Sequence, residues 1–332
     1  MKKLILLLLF ISFVLCCDES TKSIGEYELT ENWAKIPDNY VFGNPTGIAL
    51  NSNQNLVVFH RGSRSWQMPM PKEKIIEDTF VEIDKVSGEI IKSWGSNLFI
   101  MPHGLEIDKK DNIWITDVGL HQVIKYDSKG NELMVLGEEN TPGNDSLHFN
   151  LPTDVAVSDN GSFYVSDGYG NSRIIKFSSE GEYLLEWGVF GENKNEFNIP
   201  HGLDLDNYGN VYVADRENNK IQKFDSLGNF IAEWKNELIG QLYSVNVNND
   251  DNYLLGIDYI GFENLAPVGS DIIKFDLDLN LKLKFGRSRN YKGPKARYHD
   301  IQVDNKGNIY VGDILNNTIQ KFKPTQLLKK AK

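Results

Sequence analysis

Cysteine is almost missing from this sequence, which has two cysteines among 332 residues. They stand together, as Cys16 and Cys17, directly after the apolar run from Leu4 to Leu15. Cleavage between them would leave one thiol in the remaining chain, and one thiol cannot form an intrachain disulfide. The fold is therefore expected to be held by apolar burial and hydrogen bonding.

The apolar run near the start of the chain is too short to span a bilayer comfortably. It follows Met1, Lys2 and Lys3, so the segment has the charged and apolar regions of an export signal. A signal that stops at cysteine resembles that of bacterial lipoproteins, in which the first cysteine after the cut is acylated. Cys17 fits acylation better than Cys16, because a small residue then precedes the cut. We expect a lipid-anchored protein of the cell envelope, in the periplasm or on the outer surface; an ordinary secretory signal with incidental cysteines is the alternative.

Positive charge is scarce as well, with 35 lysines and arginines against 46 aspartates and glutamates and a net charge of -11. A surface this acidic repels phosphate backbones. We therefore expect no nucleic-acid partner and attachment to the membrane through the lipid alone. We also expect a monomer.

Helical periodicity is nearly absent, and a repeated β pattern takes its place. Each copy has two alternating segments around a polar turn rich in Asn, Asp and Gly, followed by a further apolar pair. Six copies open at Asn44, Met101, Leu151, Ile199, Leu242 and Tyr298. About four short strands per copy are typical of propeller blades. The sequence predicts an all-β, six-bladed β-propeller over residues 41–324, after a signal (1–16) and a tether (17–40) and before a tail (325–332).

Aromatic residues and turn residues fit this prediction. Large aromatic rings supply apolar contact area, so five tryptophans are predicted to pack between blades: Trp66, Trp94, Trp114, Trp187 and Trp234. The turns that end at Gly161 and Gly307 provide the positive φ that tight hairpins require.

One column of the aligned copies alternates histidine with other residues. In blade order, the residue after the opening proline or its equivalent is Thr46, His103, Thr153, His201, Tyr243 and His299. Alternate blades of a six-bladed ring lie about 120° apart, and the first strand of each blade lines the channel. The three imidazoles should therefore converge on the axis with a fourth position open, as in catalytic zinc sites. The alternative is that each histidine packs in the channel and bonds to backbone.

The column also guides the interpretation of the other histidines and of Asp300. His60, His121 and His148 lie off it and are interpreted as structural or surface residues. Asp300 directly follows His299, so its carboxylate would orient an imidazole or bind a second, harder cation with backbone carbonyls. The alternative is that Asp300 is a solvated residue of the channel with neither role.

Antiparallel strand order returns the end of each second strand to the face where the first strand begins. The residues that follow the second strands are Arg61, Val118, Tyr169 and Arg216. A tyrosine near a dication and arginines can have a lowered phenol pKa and serve as a general base. Arginine offers a fork of donors for a carboxylate or a developing oxyanion. The alternatives are that Arg216 pairs with Glu217 or Asp215 and that Tyr169 is a turn residue.

At these residues the chain resembles the lyase half of the peptidylglycine α-amidating enzymes, a six-bladed propeller of the NHL type. The matching segments are, in order, "VVFHRG", "MPHGL", "TDVGLHQV", "PTDVAVS", "VSDGYGNSRI", "IPHGL" and "VADRENNKIQ". The resemblance extends from about residue 44 to residue 322. It implies that zinc is bound by His103, His201 and His299.

The resemblance also implies which residues are catalytic, namely Tyr169, Arg61 and Arg216. It implies a structural calcium ion bound by Asp300 and by the backbone carbonyls of Ile48 and Leu105. The chain departs from the animal lyases at Gly170, where they carry a cysteine that forms part of a disulfide.

The resemblance implies a small-molecule or peptide substrate. The implied reaction cleaves the N–C bond of a peptidyl α-hydroxyglycine to give a peptide amide and glyoxylate. Zinc would polarise the substrate hydroxyl, Tyr169 would take a proton and Arg61 would stabilise the developing charge. One alternative is a non-catalytic NHL propeller that binds a protein or glycan at the cell surface. Another is a calcium-dependent hydrolase of the lactonase-like propellers, which usually place acidic residues at the axis. The histidine column favours the lyase over that hydrolase.

Overall fold

The structure is a computed structural model that describes residues 26–236, 239–289 and 291–325. The predicted signal (1–16), the predicted acylation site at Cys17 and residues 326–332 of the predicted tail lie outside these ranges. All regular elements in the described ranges are β-strands. Within them, no helix has the length and apolar character needed to cross a membrane.

The strands form six antiparallel blades of a β-propeller, as the sequence predicts. The first strand, β1 (Tyr27–Thr30), belongs to the last blade. The first blade contains β2 (Pro45–Leu50), β3 (Leu56–His60), β4 (Phe80–Ile83) and β5 (Ile90–Trp94). The second contains β6 (Pro102–Ile107), β7 (Ile113–Asp117), β8 (Gln122–Tyr126) and β9 (Glu132–Leu136). The third contains β10 (Asp154–Val157), β11 (Phe163–Asp167), β12 (Arg173–Phe177) and β13 (Tyr183–Trp187).

A short parallel pair, β14 (Val189–Phe190) and β15 (Glu196–Phe197), joins the third blade to the fourth. The fourth blade contains β16 (Pro200–Leu205), β17 (Val211–Asp215), β18 (Lys220–Phe224) and β19 (Phe230–Lys235). The fifth contains β20 (Gln241–Asn248), β21 (Tyr253–Glu263), β23 (Asp271–Asp276) and β24 (Leu281–Gly286), with β22 (Ala266–Gly269) paired to the end of β21. The sixth contains β25 (Tyr298–Val303), β26 (Ile309–Asp313) and β27 (Thr318–Pro324).

The outer strand of the sixth blade comes from the beginning of the described chain. β1 pairs antiparallel with β27, and Tyr27 stands opposite Pro324 in the register. The two ends of the chain therefore close the ring with hydrogen bonds. The prediction of a tether over residues 17–40 is wrong for this strand, because the unpaired edge of β27 recruits it as the fourth strand of the blade.

The hairpins rely on the polar turns that the repeat shows. In several of them an aspartate carboxylate accepts hydrogen bonds from the backbone and side-chain amides of an asparagine four residues later, as Asp108 does with Asn112 and Asp304 with Asn308. Such side-chain bonds stabilise a tight turn in place of a further backbone bond. Gly161 and Gly307 adopt φ of 87° and 77°, as the sequence predicts.

Aromatic rings join neighbouring blades. Four of the five tryptophans contact a ring in the next blade at centroid distances of 4.6 to 5.6 Å, in the pairs Trp94–Tyr126, Trp114–Phe163, Trp187–Phe224 and Trp234–Phe275. The prediction for Trp66 is wrong. It lies in the loop after β3, and its ring is 4.8 Å from that of Tyr169, a loop residue two blades away.

The inner strands form the wall of the hub. Each contacts the inner strand of the blades on both sides, in the closed order β2, β6, β10, β16, β20, β25 and back to β2. Residues at the beginning of these strands therefore face one another across the axis. This arrangement brings the histidine column together.

We expect the closing strand β1 to contribute strongly to stability. Tyr27 is 2% exposed and stacks on Phe285 at 4.8 Å between ring centroids. Tyr27→Ala should lower the free energy of unfolding by about 3–5 kcal/mol, measured by urea denaturation. Glu28→Ala, on the exposed side of the same strand, is the matched control and should change it by less than about 0.5 kcal/mol. Equal effects of the two substitutions would contradict a packed closing strand.

Candidate metal centre and active site

The three histidines of the alternating column meet at the hub. They stand at the beginning of β6, β16 and β25. At each of these points the strand register shifts, between Pro102 and Leu105, between Pro200 and Gly202, and between Tyr298 and Asp300. A bulge re-aims the side chain at an otherwise regular strand position. The repeat thus places three equivalent bulges, and a histidine at each.

The imidazole rings are close enough to share one ion. Their centroids lie 4.6 to 4.9 Å apart, and one ligand nitrogen from each ring lies within 4.8 Å of the others. A cation among them needs only a small inward shift of each ring to reach a coordination distance of about 2 Å. The predicted convergence of His103, His201 and His299 is therefore confirmed.

Each imidazole is oriented by the next blade. The Nδ1–H groups donate to backbone carbonyls of the intervening column residues: His103 to Thr153 at 2.5 Å, His201 to Tyr243 at 2.6 Å and His299 to Thr46 at 2.8 Å. A proton on Nδ1 leaves the Nε2 lone pair free, and such outer bonds are typical of metal-binding histidines. Each histidine therefore bonds to backbone and also converges on the axis, because the backbone bond orients the ring so that its free nitrogen points to the hub.

Burial and positive neighbours keep the histidines neutral. Burial lowers the pKa of His103, His201 and His299 well below 6.5, and the charges of Arg61 and Arg216 lower it further. A neutral imidazole is the form that binds a metal. Three neutral nitrogen donors fit a divalent transition metal such as zinc. The cluster is thus able to hold one metal ion.

The hydroxyl of Tyr169 lies directly over the histidine nitrogens. It is 3.1 Å from Nε2 of His103 and 3.0 Å from Nε2 of His201. Nη1 of Arg216 donates to the same hydroxyl at 3.1 Å, and its guanidinium stands 5.1 Å from the centre of the Tyr169 ring. Tyr169 is therefore part of the site and not an incidental turn residue.

Opposing effects act on the phenol of Tyr169. Burial raises its pKa, whereas the charges of Arg216 and Arg61 lower it, and burial is the larger effect in the protein without an ion. The predicted lowering of this pKa is therefore not achieved by the arginines alone. An additional positive charge beside the hydroxyl would act in the same direction as the arginines.

Arg216 also has the carboxylate partner that the sequence suggested. Its Nη2 lies 2.8 Å from Oε1 of Glu217, and the Glu217 carboxylate accepts two hydrogen bonds from Nε2 of Gln241. Gln241 therefore fixes Glu217, which in turn fixes Arg216 over Tyr169. The ion pair positions the arginine and does not remove it from the site.

Arg61 approaches the site from the opposite side. It is 3% exposed, its Nε donates to the carbonyl of Pro102 at 3.0 Å, and its Nη2 is buried without a hydrogen-bond partner. Burial lowers the pKa of Arg61 to about 10. Its guanidinium stands 5.2 Å from the ring centre of Trp66. A buried guanidinium with an unused donor is suited to an anionic ligand.

Two residues of this face were not assigned to the site from the sequence. Nε of Arg297 donates to the Tyr243 hydroxyl at 3.1 Å, and Nη2 donates to the same atom. The Tyr243 ring is 5.0 Å from that of His201 and 5.5 Å from that of His299. The signal in the sequence is small. Tyr243 stands in the column where the other blades have threonine or histidine. Arg297 stands two residues before a column histidine, at the position that Met101 and Ile199 occupy in other blades.

Asp300 lies below the histidines and is held by neighbouring blades. Its carboxylate accepts hydrogen bonds from the backbone N–H of Ile48 at 2.7 Å, the hydroxyl of Ser244 at 2.7 Å and its own neighbour Ile301 at 2.9 Å. Leu105 belongs to the adjoining strand and packs against the strand of Ile48 at Gly47. The three residues predicted to bind calcium thus lie on neighbouring inner strands, and the calcium site itself stays a prediction.

Further carboxylates form a layer with Asp300 that the sequence analysis missed. They are Glu106, Asp154 and Asp204. Burial raises the pKa of Asp204 to about 7 and that of Asp300 to about 6, and it raises those of Glu106 and Asp154 well above their usual range. Asp154 and Asp204 accept backbone N–H groups of the next blade, Leu203 and Val247. These aspartates therefore join blades.

The remaining histidines are structural or surface residues, as predicted, and Val118 is a packing residue. His60 is buried and its Nδ1 accepts the N–H of Gly62 at 3.1 Å, while Nδ1 of His121 accepts that of Leu151. His148 pairs with Asp145 at 2.9 Å. Val118 is buried at the face. None of the four is placed at the histidine cluster.

Comparison with known proteins identifies the repeat and several relatives. The family model of the NHL repeat matches residues 149–177 and 197–224, in the third and fourth blades. Peptidyl-alpha-hydroxyglycine alpha-amidating lyase 1 of Drosophila melanogaster is 34% identical, over 89% of this chain and 62% of its own length. NHL repeat-containing protein 3 of Homo sapiens is 32% identical, over 90% of this chain and 84% of its own length.

A third relative is longer. Peptidyl-glycine alpha-amidating monooxygenase A of Xenopus laevis is 36% identical over 87% of this chain. The match covers 32% of the Xenopus protein, so the chain spans about a third of that relative. The similarity thus extends over most of this chain.

We expect the histidine cluster to determine metal binding. His201→Ala removes one of three ligands and should weaken binding of zinc by more than about 100-fold, measured by competition with a chromogenic chelator. His148→Ala removes a histidine outside the cluster and is the matched control. Unchanged zinc affinity in His201→Ala, or an equal loss in both variants, would contradict the assignment.

The lowered histidine pKa values also predict the pH dependence of metal binding. A base with a lowered pKa stays neutral until the pH falls below that lowered value, so protons should not compete for these nitrogens near pH 6. The zinc dissociation constant should change by less than about threefold between pH 7.5 and 6.0, whereas unperturbed imidazoles would begin to lose the metal below about pH 6.5. A steep loss of affinity in that interval would show that the histidines titrate normally.

Proposed function

The chain belongs to the NHL-repeat propellers that include the peptidyl-α-hydroxyglycine α-amidating lyases, and from this premise we propose that it is a zinc-dependent lyase. The substrate is a peptidyl α-hydroxyglycine or a similar N-acyl carbinolamide. Cleavage of its N–C bond gives an amide and glyoxylate.

One observation carries the proposal. Three imidazole Nε2 atoms converge at the hub, and the Tyr169 hydroxyl lies within 3.1 Å of two of them while Arg216 donates to it. A scaffold that only binds a partner needs neither neutral convergent histidines nor a phenol above them. A metal, a base and cations on one face support a reaction at an oxygen-bearing carbon.

Tyr169 handles the proton in this proposal. Its phenolate takes the proton of the substrate hydroxyl, the hydroxyl carbon becomes the carbonyl of glyoxylate, and the C–N bond breaks. The electron pair of that bond stays on nitrogen, which takes the proton back from Tyr169 to become the amide. Atoms and charge therefore balance without another reactant.

The arginines stabilise charge while the proton moves. Arg216 donates to the Tyr169 hydroxyl, so it favours the phenolate over the phenol. Arg61 has an unused, buried Nη2 donor and supplies positive charge on the other side of the site. Its role is to stabilise the negative charge that develops on the substrate oxygen.

Zinc is the proposed metal because His103, His201 and His299 form a three-nitrogen donor set with an open position. When bound, zinc supplies Lewis-acid polarisation of a substrate oxygen. The Nδ1 bonds to neighbouring carbonyls hold the imidazoles in the required orientation.

The surface beside Tyr169 offers room for the acyl or peptidyl part of the substrate. A cavity of about 590 Å³ opens between the third and fourth blades, with Tyr169, Val189 and Phe190 among its lining residues. Val189 and Phe190 are largely exposed. An apolar group on the nitrogen side of the substrate fits there.

Two further expectations belong to the proposal. A structural calcium ion would be held by Asp300 with the backbone carbonyls of Ile48 and Leu105. Export and acylation at Cys17 would place the propeller in a bacterial cell envelope, bound to the membrane only by its lipid and acting as a monomer. Neither expectation is needed for the chemistry of the histidine face.

The test is glyoxylate release from α-hydroxyhippurate by the zinc-loaded protein. Tyr169→Phe retains the ring and removes the base, so it should lower kcat by about 10²- to 10⁴-fold with the zinc content unchanged. Glyoxylate is measured after derivatisation as a hydrazone. The chelated protein should be inactive and should regain activity with zinc.

Tyr208→Phe is the matched control, because Tyr208 is 80% exposed in a turn. It should leave kcat unchanged. A folded, zinc-loaded protein that releases no glyoxylate would eliminate the lyase proposal and favour a binding function for the propeller.

A further inference from the structure

Three arginines surround the histidine face, and they differ in their counterions. Arg216 has an ion pair with Glu217. Among the residues that the structure describes, Arg61 and Arg297 form no ion pair with a carboxylate. Two uncompensated guanidinium groups at one face are notable in a chain with a net charge of -11.

Arg297 is held rigidly at the edge of the site. Two of its nitrogens donate to the Tyr243 hydroxyl, and its guanidinium carbon lies 5.4 Å from the Tyr243 ring centre and 4.7 Å from that of Tyr259. The aromatic rings reduce the freedom of the side chain and do not neutralise it. The remaining donor, Nη1, makes no hydrogen bond to any described residue.

The positive charges of Arg61 and Arg297 both act at the histidine face. Burial lowers the pKa of Arg61, and the charge of Arg297 lowers it further. Arg297 reaches the histidine face through Tyr243, whose hydroxyl accepts its hydrogen bond and whose ring lies 5.5 Å from that of His299. Like charges held this close are unfavourable until an anion joins them.

The sequence shows that Arg297 is an exception within its own repeat. The residue two positions before the histidine is Met101 in the second blade and Ile199 in the fourth. The equivalent position in these two blades therefore has an apolar side chain, so a blade can fold without an arginine at this position. A ligand gives a reason for the arginine that the fold does not.

We propose that Arg297 binds the free carboxylate of the substrate, with Arg61 supplying further positive charge from the adjoining first blade. The inference rests on the proposed lyase function for the identity of that carboxylate, which belongs to the hydroxyglycine. It makes Arg297 a specificity residue: it selects acids over their neutral amides. A purely structural role, in which Arg297 only joins the fifth and sixth blades through Tyr243, is the alternative outcome.

The experiment compares two substrates and two variants. The substrates are α-hydroxyhippurate and its neutral amide, α-hydroxyhippuramide, which differ at the carboxylate. Arg297→Met, which installs the residue of the second blade, should raise KM for α-hydroxyhippurate by about 10- to 100-fold with a much smaller change in kcat. The same variant should leave the KM of α-hydroxyhippuramide nearly unchanged. Arg297→Lys retains the charge and should recover part of the loss.

Lys295→Met is the matched control. Lys295 stands two residues earlier, and its Nζ bonds the carbonyls of Arg289 and Tyr291 and not the histidine face. It removes the same charge from the same segment and should leave the preference between the two substrates unchanged. Equal changes for acid and amide in Arg297→Met, or no change for either, would overturn the proposal and favour the structural role.

A binding measurement separates this proposal from the lyase proposal. Hippurate has the carboxylate but lacks the hydroxyl, so it can bind without reacting. Calorimetry with the zinc-loaded protein should show hippurate binding that weakens about 10- to 100-fold in Arg297→Met. If that loss occurs in a protein that releases no glyoxylate, the lyase proposal fails and the carboxylate site stands. If glyoxylate is released but hippurate binding does not depend on Arg297, only the carboxylate site fails.

Discussion

Hydrogen bonds between neighbouring blades decide where the histidine side chains point. Each imidazole Nδ1–H donates to a carbonyl of the next blade, and the threonines of the same column donate through Oγ1 to the carbonyls of Pro102 and Pro200. Five of the six junctions at the hub are therefore joined by a column side chain, and at the sixth Arg297 donates to Tyr243. One nitrogen of each histidine closes the fold, and the other faces the axis. The geometry of the candidate metal site and the closure of the ring thus depend on the same side chains, because a blade that shifts also moves a histidine nitrogen.

Charge changes sign along the axis of the propeller. Arginines surround the upper face, neutral imidazoles lie at the hub, and buried carboxylates that include Asp204 and Asp300 lie below. The arginines disfavour a protonated histidine, which keeps the nitrogens available for a metal. They also favour an anionic ligand, although the protein as a whole is acidic. The local field at the site therefore opposes the net charge, and composition alone would have suggested the opposite sign of charge for this face.

The fold and the histidine cluster were readable from the sequence because blades repeat. Equal positions in equal units share a location, so the column containing His103, His201 and His299 had to converge once six blades were recognised. The same logic placed Tyr169 and Arg216 on that face. β1 was missed because its partner, β27, lies at the other end of the chain, and long-range pairing leaves no local pattern. Trp66 was misassigned because it belongs to the long loop between β3 and β4, which does not follow the repeat, so no equivalent position revealed its contact.

Arg297 shows a different limit of reading a repeat. Its position in the sequence is regular, but its contact is made with Tyr243 of another blade, and neither residue matches the pattern of its own column. Residues that depart from the repeat pattern are therefore the ones that give a symmetric scaffold a specific binding site.

The phenol of Tyr169 shows why these departures matter together. Burial alone holds its pKa above the usual value, so the hydroxyl of an isolated, buried tyrosine would be a poor base at neutral pH. Arg216 and Arg61 oppose that effect without overcoming it. A working base therefore needs a further positive charge at the histidine nitrogens, about 3 Å from the hydroxyl. The proposed chemistry requires the metal site, the arginines and the tyrosine as one unit, and the hub brings Tyr169 into contact with both the histidines and Arg216.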